Sequence, residues 1–170
     1  MRWGALLLTG VTMAFASSAA EAETTASFRV GADIVRGCFV SSDAGGQWGF
    51  IDLGTVDGLS TVPVEAALVA SGVSGILVQC TPGGDVALTA DAGTHAASGQ
   101  RRLMREGGSE AIPYALLATA QRTAWTTQPL TLRFDAGSTQ ITLPVVARAT
   151  LPGPMPAGRY SDTVRITLTW

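Results

Sequence analysis

The chain has 170 residues, which is the size of one ordinary domain. Hydrophobic residues make up 46% of it and charged residues 14%, a balance that excludes an intrinsically disordered protein. The net charge of −2, without a single lysine, provides no basic surface for nucleic acid. Glycine and threonine each occur 20 times, and this bias favours short strands joined by tight turns.

Residues 1–22 have the features of a secretory signal peptide. Arg2 supplies the positive start, residues 5–16 are mostly apolar, and Ala20-Glu21-Ala22 matches the small-x-small cleavage pattern. Cleavage after Ala20 and cleavage after Ala22 both fit. The apolar run is shorter than the roughly 18–20 residues of a membrane-spanning helix, and no later segment is more apolar. We therefore expect an exported protein whose mature part has no membrane span.

The mature part contains two cysteines, Cys38 and Cys80. An even pair outside the cytoplasm predicts one disulfide, and closing a loop of about 43 residues would stabilise the fold by roughly 4 kcal/mol. A metal or redox role is the weaker interpretation, because the spacing is not C-x-x-C and His95 is the single histidine. We expect a structural disulfide and no metal site.

The mature sequence is predicted to form strands almost throughout. Phe28, Val30, Ala32 and Ile34 alternate with smaller or polar residues, which is typical of a strand with one buried face. Similar patterns predict strands at 50–53, 62–69, 76–80, 86–90, 130–134, 141–145 and 163–170. Residues 112–117 fit either a buried strand or a short helical turn, and residues 94–109 are predicted to be an exposed connection.

Turn signals separate these segments. They are Asp43-Ala44-Gly45, Pro82-Gly83-Gly84, Asp91-Ala92-Gly93, Gly107-Gly108 and Asp135-Ala136-Gly137. Many short strands at this spacing favour an antiparallel sandwich or barrel, and an immunoglobulin-like sandwich fits the length best. We therefore expect an all-β domain.

The final predicted strand places Val164, Ile166, Leu168 and Trp170 on one face. An uncapped apolar terminal strand is an aggregation hazard, which proteins can manage by pairing that edge with a strand of another molecule. A second interpretation is equally open at this point: the strand at residues 28–34 folds back onto its own domain.

The sequence contains no recognisable catalytic motif. Gly72-Val73-Ser74-Gly75 lacks the spacing of a nucleophile elbow, and His95 would have to serve any Ser-His-Asp arrangement. A phosphate-binding loop, a dinucleotide fingerprint and a calcium-binding loop are also missing. We therefore expect no enzymatic activity, no catalytic residue and no cofactor.

Several short motifs occur in the order of a known family. They are the alternating strand before Gly37-Cys38, Leu77-Val78-Gln79-Cys80-Thr81, Arg102-Leu103-Met104, Tyr114-Ala115-Leu116-Leu117, and Gly158-Arg159-Tyr160-Ser161-Asp162-Thr163-Val164 running on to Trp170. Together they resemble the spore coat protein U domain, which spore-coat proteins share with the Csu-type pilins of archaic chaperone–usher pili. Ala115 and Leu117 depart from the usual Y-N-L-Y strand, so the chain is a divergent member.

The resemblance implies an immunoglobulin-like sandwich, residues 36–170, that lacks its last strand. It further implies that residues 23–35 are a donor segment, with Phe28, Val30, Ala32 and Ile34 entering the groove of the next subunit. Val164, Ile166, Leu168 and Trp170 would line the acceptor side of that groove. The small side chain of Ala32 leads us to expect a groove that is shallow, or already filled, opposite this position.

The implied partners are a periplasmic chaperone, an outer-membrane usher and other pilin subunits. The implied function is that of a structural subunit of a cell-surface fimbria for adhesion or biofilm formation. Two alternatives remain open: a coat-like secreted protein that assembles on a surface, and a monomeric secreted binding module that completes its own sandwich. Within the signature Gly158, Tyr160 and Asp162, we expect Tyr160 and Asp162 to have local structural roles, with Tyr160 as a corner residue that bonds to the backbone.

Overall fold

The computed structural model describes residues 24–42, 46–70 and 72–170. The predicted signal peptide and the predicted turn at 43–45 lie outside the described residues. The described part contains strands and no helix, so it has no helix that is long and apolar enough to cross a membrane. All strands lie in the unit that begins at Ile34.

Fourteen short strands follow one another along the described chain. They are β1 (Cys38–Val40), β2 (Val64–Ala67), β3 (Val69–Ala70), β4 (Val73–Ser74), β5 (Ile76–Cys80), β6 (Asp85–Ala90), β7 (Arg101–Arg105), β8 (Ala111–Ala118), β9 (Thr123–Ala124), β10 (Leu130–Arg133), β11 (Gln140–Leu143), β12 (Val145–Ala149), β13 (Tyr160–Ser161) and β14 (Ile166–Thr169).

Every strand pair is antiparallel. The largest sheet has the order β13-β7-β8-β12-β2, with β9 also paired to β8. Two three-stranded sheets have the orders β1-β5-β11 and β10-β6-β14, and β3 pairs with β4. The predicted all-β, immunoglobulin-like antiparallel sandwich is confirmed.

Alternation along the strands builds the core. In β5, β6, β8 and β12 the buried side chains recur at every second position, as a strand with one face on the core requires. Phe134, Ile76, Leu88 and Val78 are the largest fully buried side chains. The buried positions of β5 and β6 are the apolar positions that the sequence pattern predicted for these two strands.

Several sequence predictions need correction or refinement. The strand predicted at 141–145 is divided at Pro144 between β11 and β12, and the strand predicted at 62–69 is divided at Leu68 between β2 and β3. Residues 112–117 belong to strand β8, which resolves the alternative of a helical turn. The 94–109 stretch is not simply an exposed connection, because it contains β7. Residues 50–53 form no strand, contrary to the prediction, and Phe50 makes an isolated bridge with Val69.

Arg101 explains how a strand forms in that Gly- and Arg-rich stretch. Its side chain is 7% exposed and donates hydrogen bonds to four backbone carbonyl oxygens. The acceptors are Ala90 at 3.2 Å, Asp91 at 2.9 Å, Trp125 at 2.6 Å and Thr126 at 3.2 Å. The guanidinium therefore joins the end of β6 to the segment after β9. Burial lowers the pKa of Arg101.

We expect Arg101→Lys to lower the free energy of unfolding by about 2 kcal/mol. An ammonium group cannot reach four separated carbonyls as the planar guanidinium does, so buried acceptors lose their partners. Urea unfolding of the oxidised protein measures the change. Arg133→Lys is the control, because Arg133 is exposed and has no ion pair within the described chain. Equal stabilities of the two variants would contradict this role of Arg101.

Candidate functional site: an open strand edge

Strand β14 lies at the edge of its sheet. It pairs with β6 through Ile166 opposite Ala90 and Leu168 opposite Leu88. The ladder continues beyond β14, where Asp91 N donates to Arg165 O at 2.9 Å. Since β14 ends the order β10-β6-β14, no strand of the described chain pairs with its other edge. The backbone groups along that edge are therefore available to a further strand.

The apolar face of the final segment is covered only in part. Val164, Ile166 and Leu168 are partly buried and pack against the core, whereas Leu88 and Ala90 on the adjoining β6 are 0% exposed. Trp170 is 64% exposed. A shallow cleft beside it is lined by Arg36, Gly37, Cys38, Cys80, Thr81, Gly84, Asp85, Val86 and Trp170. The four predicted acceptor residues thus lie together at an edge where further apolar surface can be buried.

The predicted donor residues lie on a segment with no secondary structure. Residues 24–37 contain no strand, contrary to the alternation-based prediction. Phe28 is 88% exposed, Val30 86% and Ile34 91%, and Ala32 is exposed as well. An alternating sequence becomes a strand only when a neighbour supplies backbone hydrogen bonds, so the pattern alone does not produce one. Three large apolar side chains of one short segment are thus exposed together, whereas on a folded protein such side chains usually occur singly.

The predicted disulfide between Cys38 and Cys80 is confirmed. The two residues are direct partners in the β1–β5 ladder, with Cα atoms 4.1 Å apart. Next to them, Gly37 N donates to Thr81 Oγ1 at 3.1 Å, and Thr81 N donates to Gly37 O at 3.0 Å. The chain is therefore fixed covalently and by hydrogen bonds directly after the exposed segment.

Tyr160 occupies the corner before the final segment, in the role predicted from the sequence. Its hydroxyl donates to Pro156 O, four residues upstream, at 2.8 Å. Gly158 precedes it, where an added Cβ atom would lie 3.0 Å from Cδ of Arg105. These contacts close the turn that directs the chain toward β14.

Asp162 has a local structural role, as expected from the sequence, but its hydrogen-bond partners were not predicted. Its side chain is 1% exposed and accepts hydrogen bonds from Tyr114 Oη at 2.8 Å and from His95 N at 3.0 Å. Nδ1 of His95 lies 3.2 Å from Asp162 Oδ1. Burial and the bond to Asp162 raise the pKa of Tyr114, so its hydroxyl keeps the proton that it donates. The partners lie 48 and 67 residues away, which is why sequence inspection missed them.

The turn at Asp91-Ala92-Gly93 packs against the Asp162 carboxylate. Asp91 Oδ1 accepts hydrogen bonds from Gly93 N and from Arg165 N, both at 2.9 Å. Gly93 has a φ of 83°, and an added Cβ atom would collide with the Asp162 carboxylate. One turn and two carboxylates thus position residues 162–165, where the open edge begins.

The polar groups of this region are used for structure. Within residues 24–42, 46–70 and 72–170, no three His, Cys, Asp or Glu side chains are grouped to hold a metal. A cleft of about 370 Å³ adjoins the cleft beside Trp170, with which it shares Arg36, Gly84 and Asp85. The rest of its lining is Gly83, Arg133, Phe134, Asp135 and Ala136. Its lining includes no serine, cysteine or histidine, the usual components of nucleophilic catalysis.

Gly93→Ala should lower the melting temperature more than Gly99→Ala. Both glycines have a positive φ, 83° and 75°, so both variants carry the same backbone strain. A Cβ atom at residue 99 meets no other atom within 4 Å, whereas at residue 93 it meets the Asp162 carboxylate. We expect an additional loss of about 1–3 kcal/mol for Gly93→Ala, typical of overpacking. Equal melting temperatures would show that the turn does not support Asp162.

The comparisons with known proteins agree with this architecture. The crystal structure of the CsuC–CsuE chaperone–tip adhesion subunit pre-assembly complex, from the archaic chaperone–usher Csu pili of Acinetobacter baumannii, matches with a TM-score of 0.54 at 18% sequence identity. The match covers 81% of this chain and 40% of that chain, and it is a likeness of fold. The comparison with curated proteins finds no match. The family model of the Spore Coat Protein U domain matches residues 24–167, and the chain therefore belongs to the Spore Coat Protein U domain family.

Proposed function

We propose that this protein is a structural subunit of a chaperone–usher fimbria and that it polymerises by donor-strand exchange. The observation that carries the proposal is that one chain has both an exposed apolar segment and an open strand edge. Residues 28–34 expose an alternating apolar segment, and the edge of β14 has no strand partner in the described chain. Each copy thus has one strand to donate and one edge to accept a strand.

Strand addition supplies both affinity and selectivity. Backbone hydrogen bonds along the edge of β14 satisfy polar groups that otherwise remain with water, and alternate side chains of the added strand enter the groove. Burial of Phe28, Val30 and Ile34 contributes roughly 1.5–3 kcal/mol for each side chain. Part of this gain offsets the loss of translational, rotational and segmental freedom on association.

The geometry of exchange leads to a fibre. The donating segment and the accepting edge are different surfaces, so the contact is head-to-tail and does not close on itself. Before assembly, the exposed apolar segment and the open edge both promote aggregation. A periplasmic chaperone that covers the edge, followed by transfer at an outer-membrane usher, meets this need. The predicted signal peptide at 1–22 directs the chain to that compartment, and the fibre serves adhesion or biofilm formation.

The proposed role is structural and not catalytic. The two cysteines form the disulfide, and His95 contacts the Asp162 carboxylate. These side chains, the strongest candidates for catalysis in the sequence, therefore already have structural partners. Family membership and the likeness of fold to a pilus subunit complex support the same conclusion.

We expect Ile34→Asp to abolish polymerisation of the mature protein, whereas Val35→Asp retains it. Both residues are exposed in the single chain, at 91% and 80%, and both variants replace a branched apolar side chain with aspartate. Only Ile34 shares the alternating face with Phe28, so only Ile34→Asp forces an unpaired charge into the groove. Sedimentation velocity of purified, oxidised protein measures the chain length of the assemblies.

The behaviour of the wild type and of Ile34→Asp distinguishes donor-strand exchange from the two alternative functions. Polymers that disappear in Ile34→Asp alone support donor-strand exchange. A wild-type protein that stays monomeric would contradict the proposal and favour a module that completes its own sandwich. Polymers insensitive to Ile34→Asp would favour coat-like assembly through another surface.

Ala32→Leu should weaken assembly, because a groove that is shallow opposite residue 32 cannot accept three more carbon atoms without strain of about 1–3 kcal/mol. Val30→Leu is the control, since it enlarges a donor side chain that is already branched. The critical concentration for polymer formation measures both effects. Assembly of Ala32→Leu at the wild-type concentration would show that the groove is deep at this position.

A further inference from the structure

We infer that a charge pair between subunits, Asp33 of one copy and Arg165 of the next, sets the direction and the register of the added strand. The inference rests on the proposed function and identifies the residues that make the assembly specific. The charge pair lies on the outward faces of the two strands, whereas the apolar residues on their other faces enter the groove.

The apolar residues by themselves do not determine the direction of the added strand. The segment presents Phe28, Val30, Ala32 and Ile34, and the edge presents Val164, Ile166, Leu168 and Trp170. An antiparallel alignment matches all four pairs: Phe28 with Trp170, Val30 with Leu168, Ala32 with Ile166, and Ile34 with Val164. A parallel alignment also matches four: Phe28 with Val164, Val30 with Ile166, Ala32 with Leu168, and Ile34 with Trp170.

The charged residues on the outward faces distinguish these two alignments. Residues directly opposite on paired strands point to the same face, and like charges placed opposite one another are destabilising. In the antiparallel alignment Asp33 faces Arg165, and Arg29 faces Thr169. In the parallel alignment Arg29 faces Arg165, which places two cations together. Electrostatics therefore favours the antiparallel direction.

The same pair also specifies the register. A slip of two residues in either direction leaves one of the four apolar residues of the segment without an apolar partner. It also moves Asp33 away from Arg165, to Thr163 or Thr167. Apolar matching and the charge pair therefore select one common alignment, and this agreement restricts slippage along the edge.

Arg165 is positioned to accept this partner. Its backbone is held on one side only, with N–H donating to Asp91 Oδ1 and C=O accepting from Asp91 N, both at 2.9 Å. Its side chain is exposed, as is Asp33, and neither has an ion pair within the described residues. Asp91 lies opposite Arg165 on the paired side, so the antiparallel strand completes a row of alternating charge: Asp91, Arg165, Asp33.

The experiment uses the full mature chain with charge reversals on each side, Asp33→Arg and Arg165→Asp. Each variant alone places like charges at every subunit contact. We expect its critical concentration for polymer formation to rise about fivefold, the range of one cross-strand charged pair. When the two variants are mixed, every contact between unlike copies pairs opposite charges again. The mixture should then polymerise near the wild-type concentration, with the two variants alternating.

Rescue by mixing shows whether weaker assembly of the single variants results from repulsion at the charge pair or from a folding defect. A variant damaged in its own fold, or one that pairs its segment with its own edge, gains nothing from the other variant. Asp135→Arg and Arg159→Asp are matched controls, because both residues are exposed and neither has an ion pair in the described part of the chain. We expect these controls to polymerise like the wild type. The variant effects should diminish at about 1 M salt, where the screening length is near 3 Å.

Arg29→Asp tests the direction without altering the sandwich. In the antiparallel alignment residue 29 faces Thr169, so polymerisation should change little. In a parallel alignment the carboxylate introduced at position 29 would face Arg165, and assembly would strengthen. Stronger assembly of Arg29→Asp, or a mixture no better than the single variants, would overturn the inference while leaving donor-strand exchange intact. A monomeric wild type would instead overturn the proposed function and the charge pair with it.

Discussion

The open edge of β14 is the constraint on which the rest of the molecule depends. A strand satisfies its backbone donors and acceptors on both sides only when it has two neighbours. In the described chain β14 has one neighbour, β6, and its apolar side chains are only partly buried. Such an edge can accept a strand only if its own position is fixed and a strand is supplied to it. The contacts of Asp162 and Asp91 serve the first requirement.

The support for that edge is built from polar groups close to its start, among which the Asp162 side chain is buried. The Asp162 carboxylate accepts bonds from Tyr114 and His95, and the Asp91 carboxylate accepts bonds from Gly93 and Arg165. A buried carboxylate is costly unless it is hydrogen-bonded, so the bonds to Asp162 fix its position relative to Tyr114 and to the backbone of His95. The result is an edge whose position is set by the domain itself. In the proposed assembly, such preorganisation lowers the entropic cost of binding.

Under the proposed function, the exposed segment supplies that strand and uses two kinds of side chain to do so. Its apolar residues provide affinity but match the edge equally well in both directions. Its charged residues provide little affinity in water and yet distinguish the two directions, since one alignment pairs opposite charges and the other places two cations together. In the proposed fibre the donating and accepting segments lie on one chain, so the same two kinds of contact would occur between every pair of neighbouring subunits. Different side chains would then set the affinity and the direction of assembly.

The sequence by itself determined the features that depend on local pattern. Period-two alternation identified the core faces of β5 and β6, the cysteine count identified the disulfide, and the signature around Tyr160 identified the corner. Only the tertiary structure decided which distant residues meet. Arg101 is buried because it finds four carbonyls on two other segments, and Asp162 is paired with groups 48 and 67 residues away. It also decided that residues 24–37 form no strand, because alternation specifies a face but a strand needs a neighbour.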